Sequence, residues 1–455
     1  DLHSFPTRRS SDLLSWRPVS SEHRDLLGVH APQWLDRAVL GIFIHWGAYS
    51  VPAWAEPHGE LGTEPDEATW FTHNAYAEWY FNTIRIDGSP AQAHHRSTYG
   101  MLPYDAFLDM WRAERFDPDG WADLFARAGA DLVIPTTKHH DGITLWDAPG
   151  TYGRNTVVRG PRRDLVGEIA QAVRSRGMRF GAYYSGGVDW HYRPFPPVLS
   201  QEDLERCART ADPEYARYIY AHCMDLFERY HPDVFWNDIE WPDCAKDFEE
   251  YGLGSLLMSY YSLCPEGAVN DRFGGFHSDY ETSEYQAMRD SEGAERWENC
   301  RGIGLSFGYN RQETGEQYLT GPQLSRHLAD VVARGGRLLL NVGPRADGTI
   351  PGPQRRSLEG LGEWMAGAKP ELVGTTDELR ERACSVDGAR LVSHDDHAVL
   401  LVLDDLDVAL EDLPSAFEWR QARSVDASSS ASVRGSRLHA RAGDQGPGVV
   451  VARRR

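Results

Sequence analysis

The chain has 455 residues, of which 41% are hydrophobic, enough for a substantial core and more than one ordinary domain requires. Its formal net charge of −21 argues against nucleic acid or an anionic membrane surface as a partner, because the chain would repel their phosphates. No apolar run reaches the length of a transmembrane helix. The 15 Trp and 20 Tyr favour sugar recognition, since flat rings stack on pyranose faces, although large cores also use Trp.

The first 13 residues carry neither a start Met nor a signal-like apolar core. They resemble a translated adapter sequence, so we expect residues 1–13 to be an extraneous tail. The six cysteines form no CxxC pair and no metal-finger spacing, which indicates reduced thiols. These features favour a cytoplasmic protein, with secretion left open because a leader could be missing.

Strand and helix patterns alternate from the first apolar segment to about residue 342. The predicted strands are short, apolar and rich in β-branched or aromatic residues, and they cover 41–47, 131–140, 179–184, 234–238, 268–272, 302–309 and 337–342. The predicted helices cover 119–128, 165–176, 215–230 and 323–333. This alternation is typical of a parallel sheet, either a (β/α)8 barrel or a doubly wound sheet.

Polar side chains end one predicted strand after another. They are His45, His139, His140, Tyr184, Asp238 and Arg272. In a barrel such ends converge on one mouth, where barrel enzymes keep their sites. No GxGxxG opens a helix, which removes the usual dinucleotide-binding alternative. We therefore predict an α/β fold, an irregular (β/α)8 TIM-like barrel over residues 14–368, irregular because seven strands are found instead of eight.

The alternation stops near residue 370. Short alternating segments separated by Ser, Gly and Asp clusters follow, at 390–393, 398–403, 417–424, 432–442 and 448–451. This pattern predicts a small C-terminal antiparallel β-sandwich over residues 369–455.

The stretch Val234-Phe235-Trp236-Asn237-Asp238 is the centre of the functional prediction. Alternation places Val234, Trp236 and Asp238 on one face, so that an acid lies at the mouth above an apolar wall. The simpler explanation is that Asp238 caps the next turn. A second acidic stretch, with Glu284, follows about 45 residues later. Two carboxyls about 5–5.5 Å apart are what cleavage of a glycoside with retention requires.

The adjacent His139 and His140 raise the question of a metal site. There is no HExxH and no third ligand at a known spacing, so we predict no metal. For one of the two, a backbone hydrogen bond is a sufficient role. A core position explains Trp79 about as well as ligand contact does. Glu78 is harder to place in a core, because a buried unpaired carboxylate is costly.

Several motifs together resemble the α-L-fucosidases of glycoside hydrolase family 29. They are Ile44-His45-Trp46-Gly47, Ala77-Glu78-Trp79-Tyr80, Thr137-Lys138-His139-His140-Asp141-Gly142, Tyr183-Tyr184-Ser185, Trp236-Asn237-Asp238, Val269-Asn270-Asp271-Arg272, Gly304-Leu305-Ser306-Phe307-Gly308-Tyr309-Asn310 and Leu339-Leu340-Asn341-Val342-Gly343-Pro344. They keep the family's order from about residue 33 to 364. In the sandwich no motif is found.

The resemblance implies a retaining exo-glycosidase that removes terminal α-linked L-fucose from oligosaccharides or glycoconjugates, without metal or organic cofactor. It assigns Asp238 as the nucleophile and Glu284 as the general acid/base, although Asp279, Glu281 and Glu298 lie near Glu284 in the chain. The residues it assigns to the fucose pocket are His45, Glu78, Trp79, His139, His140, Tyr184, Trp236, Arg272 and Phe307. The oligomeric state is left open, including a homo-oligomer.

Two other function classes remain open at this stage. One is a retaining glycosidase or transglycosidase for another sugar, which differs from hydrolysis only in the acceptor that reaches the intermediate. The other is a non-catalytic sugar-binding protein, which would require loss of Asp238 or Glu284, and both are present.

Overall fold

A computed structural model of the chain describes residues 21–285, 296–376, 386–425 and 429–455. The predicted tail, residues 1–13, and Cys384 lie outside this part of the chain. The other five cysteines are free thiols. Within the described residues, no helix combines the length and the apolar character that crossing a membrane requires.

Eight parallel strands form one curled sheet, which confirms the predicted TIM-like barrel. The strands are β1 (Leu40–Ile44), β2 (Leu132–Lys138), β3 (Arg179–Ser185), β4 (Val234–Asp238), β5 (Ala268–Val269), β6 (Glu281–Glu284), β7 (Trp297–Gly302) and β8 (Gly336–Val342). Their order is β5-β4-β3-β2-β1-β8-β7-β6, with parallel pairing throughout. The carboxyl ends of the strands therefore share one end of the barrel.

Helices cover the outside of the sheet and fill the long insertion between β1 and β2. They are α1 (Ser21–Leu27), α2 (Gln33–Arg37), α3 (Glu67–Thr72), α4 (Tyr80–Thr83), α5 (Pro90–Tyr99), α6 (Ala106–Met110), α7 (Pro118–Ala128), α8 (Leu165–Ser175), α9 (Gln201–Ala208), α10 (Pro213–Tyr230), α11 (Leu253–Leu263), α12 (Gly321–Ala333) and α13 (Gly352–Ala368). The sequence just before α10 explains where this helix begins. Asp212 caps it by accepting from the backbone N–H of Glu214 and Tyr215, and Pro213 occupies the first turn.

The alternation of side chains along each strand divides the apolar residues between two cores. One core fills the barrel interior and includes Phe43, Tyr183 and Trp236. The larger core lies between the strands and the helices and includes Tyr184 and Phe235. Neighbouring residues of one strand, such as Tyr183 and Tyr184, thus lie in different cores.

The barrel is irregular where β5 and β6, the two ends of the sheet, meet. Asp279 links them: its backbone N–H donates to the Val269 carbonyl at 3.0 Å, and its Oδ2 accepts from the Val269 N–H at 2.8 Å. The strand predicted at 302–309 is wrong, since β7 ends at Gly302 and a loop follows. Two strands were therefore not predicted, β6 and, apart from its last residue Gly302, β7.

The C-terminal sandwich is confirmed. Its strands are β9 (Ala389–Ser393), β10 (His397–Val402), β11 (Leu406–Ala409), β12 (Arg423–Ser424), β13 (Ser430–Arg434), β14 (Arg437–Arg441) and β15 (Gly448–Arg453). They form a four-stranded sheet, β12-β15-β10-β9, and a three-stranded sheet, β11-β14-β13, around their own apolar core. The segment predicted at 432–442 is a hairpin of two strands instead of one strand.

Candidate active site

The carboxyl ends of β1, β2, β4, β5 and β6 supply the polar residues of the site. Asp238 and Glu284 are the last residues of β4 and β6. Each is followed by a residue in the left-handed region, Ile239 at φ 50° and Tyr285 at φ 57°. Such a backbone is costly for a bulky or β-branched residue, and strain of this kind concentrates at functional sites. The sharp turn after β4 lets the Ile239 N–H donate back to Asp238 Oδ1 at 3.0 Å.

Both oxygens of the buried Asp238 carboxyl accept hydrogen bonds from side chains. Tyr183 Oη donates to Oδ2 at 2.7 Å, and Arg272 Nη1 donates to Oδ1 at 2.9 Å. Burial would raise the pKa of Asp238, but the Arg272 charge and the two donors outweigh burial and hold the pKa below its usual value. Asp238 is therefore an ionised carboxylate at neutral pH.

Arg272 joins the two carboxyls. Its Nη1 donates to Asp238, while its Nη2 donates to Glu284 Oε2 at 3.1 Å. Its Nε donates to Thr282 Oγ1 at 3.1 Å, and its guanidinium lies 4.7 Å from the centre of the Trp236 ring. Because one planar group contacts both acids, Asp238 and Glu284 lie close together at the mouth.

Glu284 has a different electrostatic setting from Asp238. Tyr76 Oη donates to its Oε1 at 2.9 Å. Burial raises the pKa of Glu284, and the neighbouring Asp238 charge adds to this, so that the pKa lies above its usual value despite Arg272. The pKa values of the two acids are thus shifted in opposite directions. Asp238 favours the charged form and Glu284 the protonated form, as an acid/base pair requires.

The other acids near Glu284 in sequence are bound elsewhere. Glu298 accepts from Trp236 Nε1 and from Arg337 Nε, each at 2.9 Å. Asp279 holds the β5–β6 junction. Glu281 begins β6, at the opposite end of the strand from the mouth. Of these four acids, only Glu284 is paired with Asp238 through Arg272.

Among the described residues, His45 uses only one of its ring nitrogens, Nδ1, in a hydrogen bond. Asn341 Nδ2 donates to the Phe307 carbonyl at 2.6 Å, so its Oδ1 must accept from His45 Nδ1 at 2.7 Å. Burial lowers the pKa of His45 to about 4, so the ring is neutral. With the proton on Nδ1, Nε2 is a hydrogen-bond acceptor.

His140 is arranged in the same way. Ser185 Oγ donates to the Val188 carbonyl and accepts from His140 Nδ1, both at 2.7 Å. Burial lowers the pKa of His140 to about 3, which leaves Nε2 as an acceptor 3.7 Å from Asp238 Oδ2. His139 lies against it, with ring centres 4.0 Å apart, and stacks on Tyr183. Burial also lowers the pKa of His139 well below its usual value.

Glu78 is buried beside the loop that carries Phe307. The Gly308 N–H donates to Glu78 Oε2 at 2.7 Å, and Ser306 Oγ lies 3.2 Å from the same oxygen. Burial raises the pKa of Glu78 to about 7, more than these bonds lower it. The backbone loop thus explains how the chain accommodates this carboxyl.

Three aromatic residues of the predicted set are buried around the mouth. Phe307 lies 5.0 Å from His45 between ring centres, and Trp79 lies 5.5 Å from His140. Trp236 forms the apolar wall below Asp238, stacked on Tyr183, and its indole N–H is bound to Glu298. Trp236 therefore contributes a surface and not a donor.

The prediction that Tyr184 lines the pocket is wrong, and its neighbour Tyr183 takes that position. Tyr184 lies in the core between β3 and the helices, where its hydroxyl donates to His222 Nδ1 at 3.0 Å, while His222 Nε2 donates to the Pro149 carbonyl. The register of β3 on β4 pairs Tyr183 with Trp236. It is therefore Tyr183 that faces the barrel interior and contacts Asp238.

Sequence reasoning also missed Tyr76, the donor to Glu284, and Asn341, which orients His45. Asn341 carried a signal, because it is a polar residue near the end of an apolar strand, β8. Tyr76 carried none, since it lies in the irregular insertion after β1, just before the Ala77–Trp79 3₁₀ turn.

Two buried carboxyls of opposite pKa tendency at the mouth of a TIM-like barrel, with neutral acceptors and aromatic walls around them, are the arrangement that glycoside hydrolases use. A family model described as alpha-L-fucosidase matches residues 16–369. The chain belongs to the α-L-fucosidase family and is a fucose-releasing glycosidase.

Individual relatives agree with this family membership. The Dictyostelium discoideum alpha-L-fucosidase is 31% identical over 357 residues, which is 76% of this chain and 72% of that protein. The human tissue alpha-L-fucosidase is 32% identical over 345 residues, 74% of this chain and 67% of that protein. The solved structure of the Thermotoga maritima alpha-fucosidase in complex with fucose is 41% identical, with a TM-score of 0.81 over 96% of this chain and 100% of that one.

Proposed function

We propose that the enzyme removes terminal α-linked L-fucose by double displacement, with Asp238 as nucleophile and Glu284 as acid/base. The observation that carries the proposal is the Arg272 guanidinium, which donates to both carboxyls at 2.9 and 3.1 Å. Because one guanidinium joins them, the two acids lie side by side, and we take them to have the spacing of about 5–5.5 Å that direct attack with retention requires. An inverting enzyme instead needs a wider gap, which holds a water molecule.

In the first step Asp238 attacks the anomeric carbon as the glycosidic bond breaks, and Glu284 gives its proton to the leaving oxygen. The product is a fucosyl ester on Asp238. That ester is neutral, so the charge that raised the pKa of Glu284 is gone and the pKa falls. Glu284 then takes a proton from water, which attacks the ester and releases fucose.

The pocket offers complementary chemistry to a deoxysugar. His45 and His140 are neutral, and the Nε2 of each can accept a hydrogen bond from a sugar hydroxyl. Phe307 and Trp79 supply apolar surface for the methyl group. A fucosylated oligosaccharide or glycoconjugate is therefore the substrate class.

The test is release of p-nitrophenol from the α-L-fucoside, the β-D-galactoside and the α-L-rhamnoside by wild type, Asp238→Ala and Asp243→Ala. Asp243 is the control, because it is an exposed carboxyl in the loop after β4, bound to Lys246. We expect turnover of the fucoside alone, a loss of several orders of magnitude in Asp238→Ala, and near-normal turnover in Asp243→Ala. Near-normal turnover in a folded Asp238→Ala protein would refute the assignment.

A further inference from the structure

One group of three potential metal ligands occurs in the described residues: Glu371, His394 and His397, whose ligand atoms all lie within 4.8 Å of one another. Glu371 ends the 3₁₀ turn Lys369–Glu371 that follows α13 of the barrel. His394 and His397 belong to the β9–β10 hairpin of the sandwich. The cluster therefore lies where the two domains join.

The hairpin holds the two histidines in a fixed relation. The backbone N–H of His394 donates to the backbone carbonyl of His397 at 2.8 Å, which closes a turn with Asp395 and Asp396 at its tip. The two rings stack, with centres 4.2 Å apart and planes 12° apart. Ligands placed on a closed hairpin need little reorganisation to bind an ion.

Glu371 approaches both histidines. Its Oε2 lies 2.8 Å from His397 Nε2, and its backbone carbonyl accepts from His394 Nε2 at 3.0 Å, a bond that is lost if an ion takes that nitrogen. The other nitrogen of His397, Nδ1, lies 2.6 Å from Asp396 Oδ1. A carboxylate behind a ligating histidine is the usual outer support of a metal site, since it fixes the tautomer and orients the ring.

We propose that Glu371, His394 and His397 bind a divalent transition metal, with Zn²⁺ as the best match, and that Asp396 orients His397. Two imidazoles and one carboxylate are a donor set that Zn²⁺ accepts, with water as the fourth ligand. Mg²⁺ and Ca²⁺ prefer oxygen ligands and fit poorly.

The role is structural, because the cluster is at the end of the barrel opposite the catalytic mouth. Lys369, two residues before Glu371, donates to Asp131 Oδ1 at 2.6 Å, and Asp131 directly precedes β2. The ion would join the segment after α13 to the sandwich and takes no part in glycoside cleavage.

Equilibrium dialysis of untagged, chelator-treated protein against Zn²⁺ tests the proposal, with metal analysis of the protein. We expect one Zn²⁺ per chain in wild type and at least tenfold weaker binding in Glu371→Gln and His397→Ala. For Asp396→Asn we expect roughly 10- to 100-fold weaker binding, as for other outer-shell carboxylates. The matched control is His439→Ala, a histidine of β14 that also lies near a carboxylate, 3.5 Å from Asp407, and it should bind as wild type does.

Thermal unfolding provides a second readout, because an ion that binds only the folded state raises Tm. Zn²⁺ should raise the Tm of wild type and of His439→Ala, but not that of Glu371→Gln. Failure of wild type to bind Zn²⁺ would overturn the proposal whatever the variants do. Wild-type affinity in both Glu371→Gln and His397→Ala, or displacement of Zn²⁺ by millimolar Ca²⁺, would also overturn it.

Discussion

Tyr183 donates a 2.7 Å hydrogen bond to Asp238, whereas the adjacent Tyr184 faces the helices and contacts His222. The strand alternation thus separates two identical side chains into one that touches the reacting carboxylate and one that does not. The pair provides a matched comparison at neighbouring positions.

We expect Tyr183→Phe to lower kcat by about 10- to 100-fold, because Asp238 leaves as a charged carboxylate in the second step and a hydrogen bond to a charged group is worth about 1.5–3 kcal/mol. Loss of this donor also raises the pKa of Asp238, so the acid limb of the kcat/KM profile should move to higher pH. Tyr184→Phe should lose stability but keep its pH profile. Equal kinetic losses in the two variants would contradict the assigned faces.

Tyr76→Phe should affect the opposite limb of the profile. Its hydroxyl donates to Glu284 at 2.9 Å and stabilises the charged form of that carboxyl. Without this donor the pKa of Glu284 rises, and the basic limb of kcat/KM should move to higher pH while the acid limb stays in place. A shift confined to the acid limb would show that Glu284 is not the acid.

Glu284→Ala tests the acid role through the leaving group. Substrates with poor leaving groups need protonation of the departing oxygen, whereas activated aryl fucosides hardly do. We expect a large loss on the former and a smaller loss on the latter. Glu298→Gln, which breaks the bond to Arg337 instead, should lower both rates by a similar factor. The same uniform loss in Glu284→Ala would count against its role.

The stability of the enzyme should fall between pH 6.5 and about pH 8 because of Glu313. This carboxyl accepts from the Ser306 N–H at 2.7 Å, and burial raises its pKa from 4.5 to about 8. The folded state therefore keeps a proton that the unfolded state loses above pH 4.5. The associated stability is fully present below that pH and is lost as pH rises through about 8.

Glu313→Gln should flatten the dependence of Tm on pH in this window by several degrees, since it stays neutral. Glu316→Gln is the control, because Glu316 is exposed three residues later in the same loop, and it should leave the slope unchanged. Buried histidines such as His45 and His140 change the pH dependence of stability only below pH 6.5, because their pKa values are lowered in the folded state. They therefore do not affect the slope in this window. An unchanged slope in Glu313→Gln would contradict the account.

The sequence predicted the apolar strands well but missed β6 and all but the last residue of β7, for a physical reason. The β6 residues Glu281–Glu284 are all polar, because three of them are buried against polar partners in and around the site instead of an apolar core. A hydrophobic pattern cannot report a strand of this kind. The predicted strand at 302–309 failed for a related reason, since its apolar residues include Phe307, which lines the mouth from a loop.

The choice between Tyr183 and Tyr184 shows a second limit. Alternation along β3 requires that they face opposite ways, but two identical neighbours give no indication of which faces inward. Register against β4 decides it, and register depends on the assembled sheet. Asp238 and Arg272, in contrast, were predicted from the polar ends of their strands, whereas Glu284 was assigned through the resemblance to the family.

The most direct test of the central claim is to trap the ester. The enzyme would be incubated with a 2-deoxy-2-fluoro-α-L-fucosyl donor that has a good leaving group, then digested, and the labelled peptide mapped by mass spectrometry. We predict one fluorofucosyl group per chain, carried by Asp238, with the label absent in Asp238→Ala. A label on another carboxyl, or β-L-fucose as the first product formed from the natural α-linkage, would contradict double displacement through Asp238.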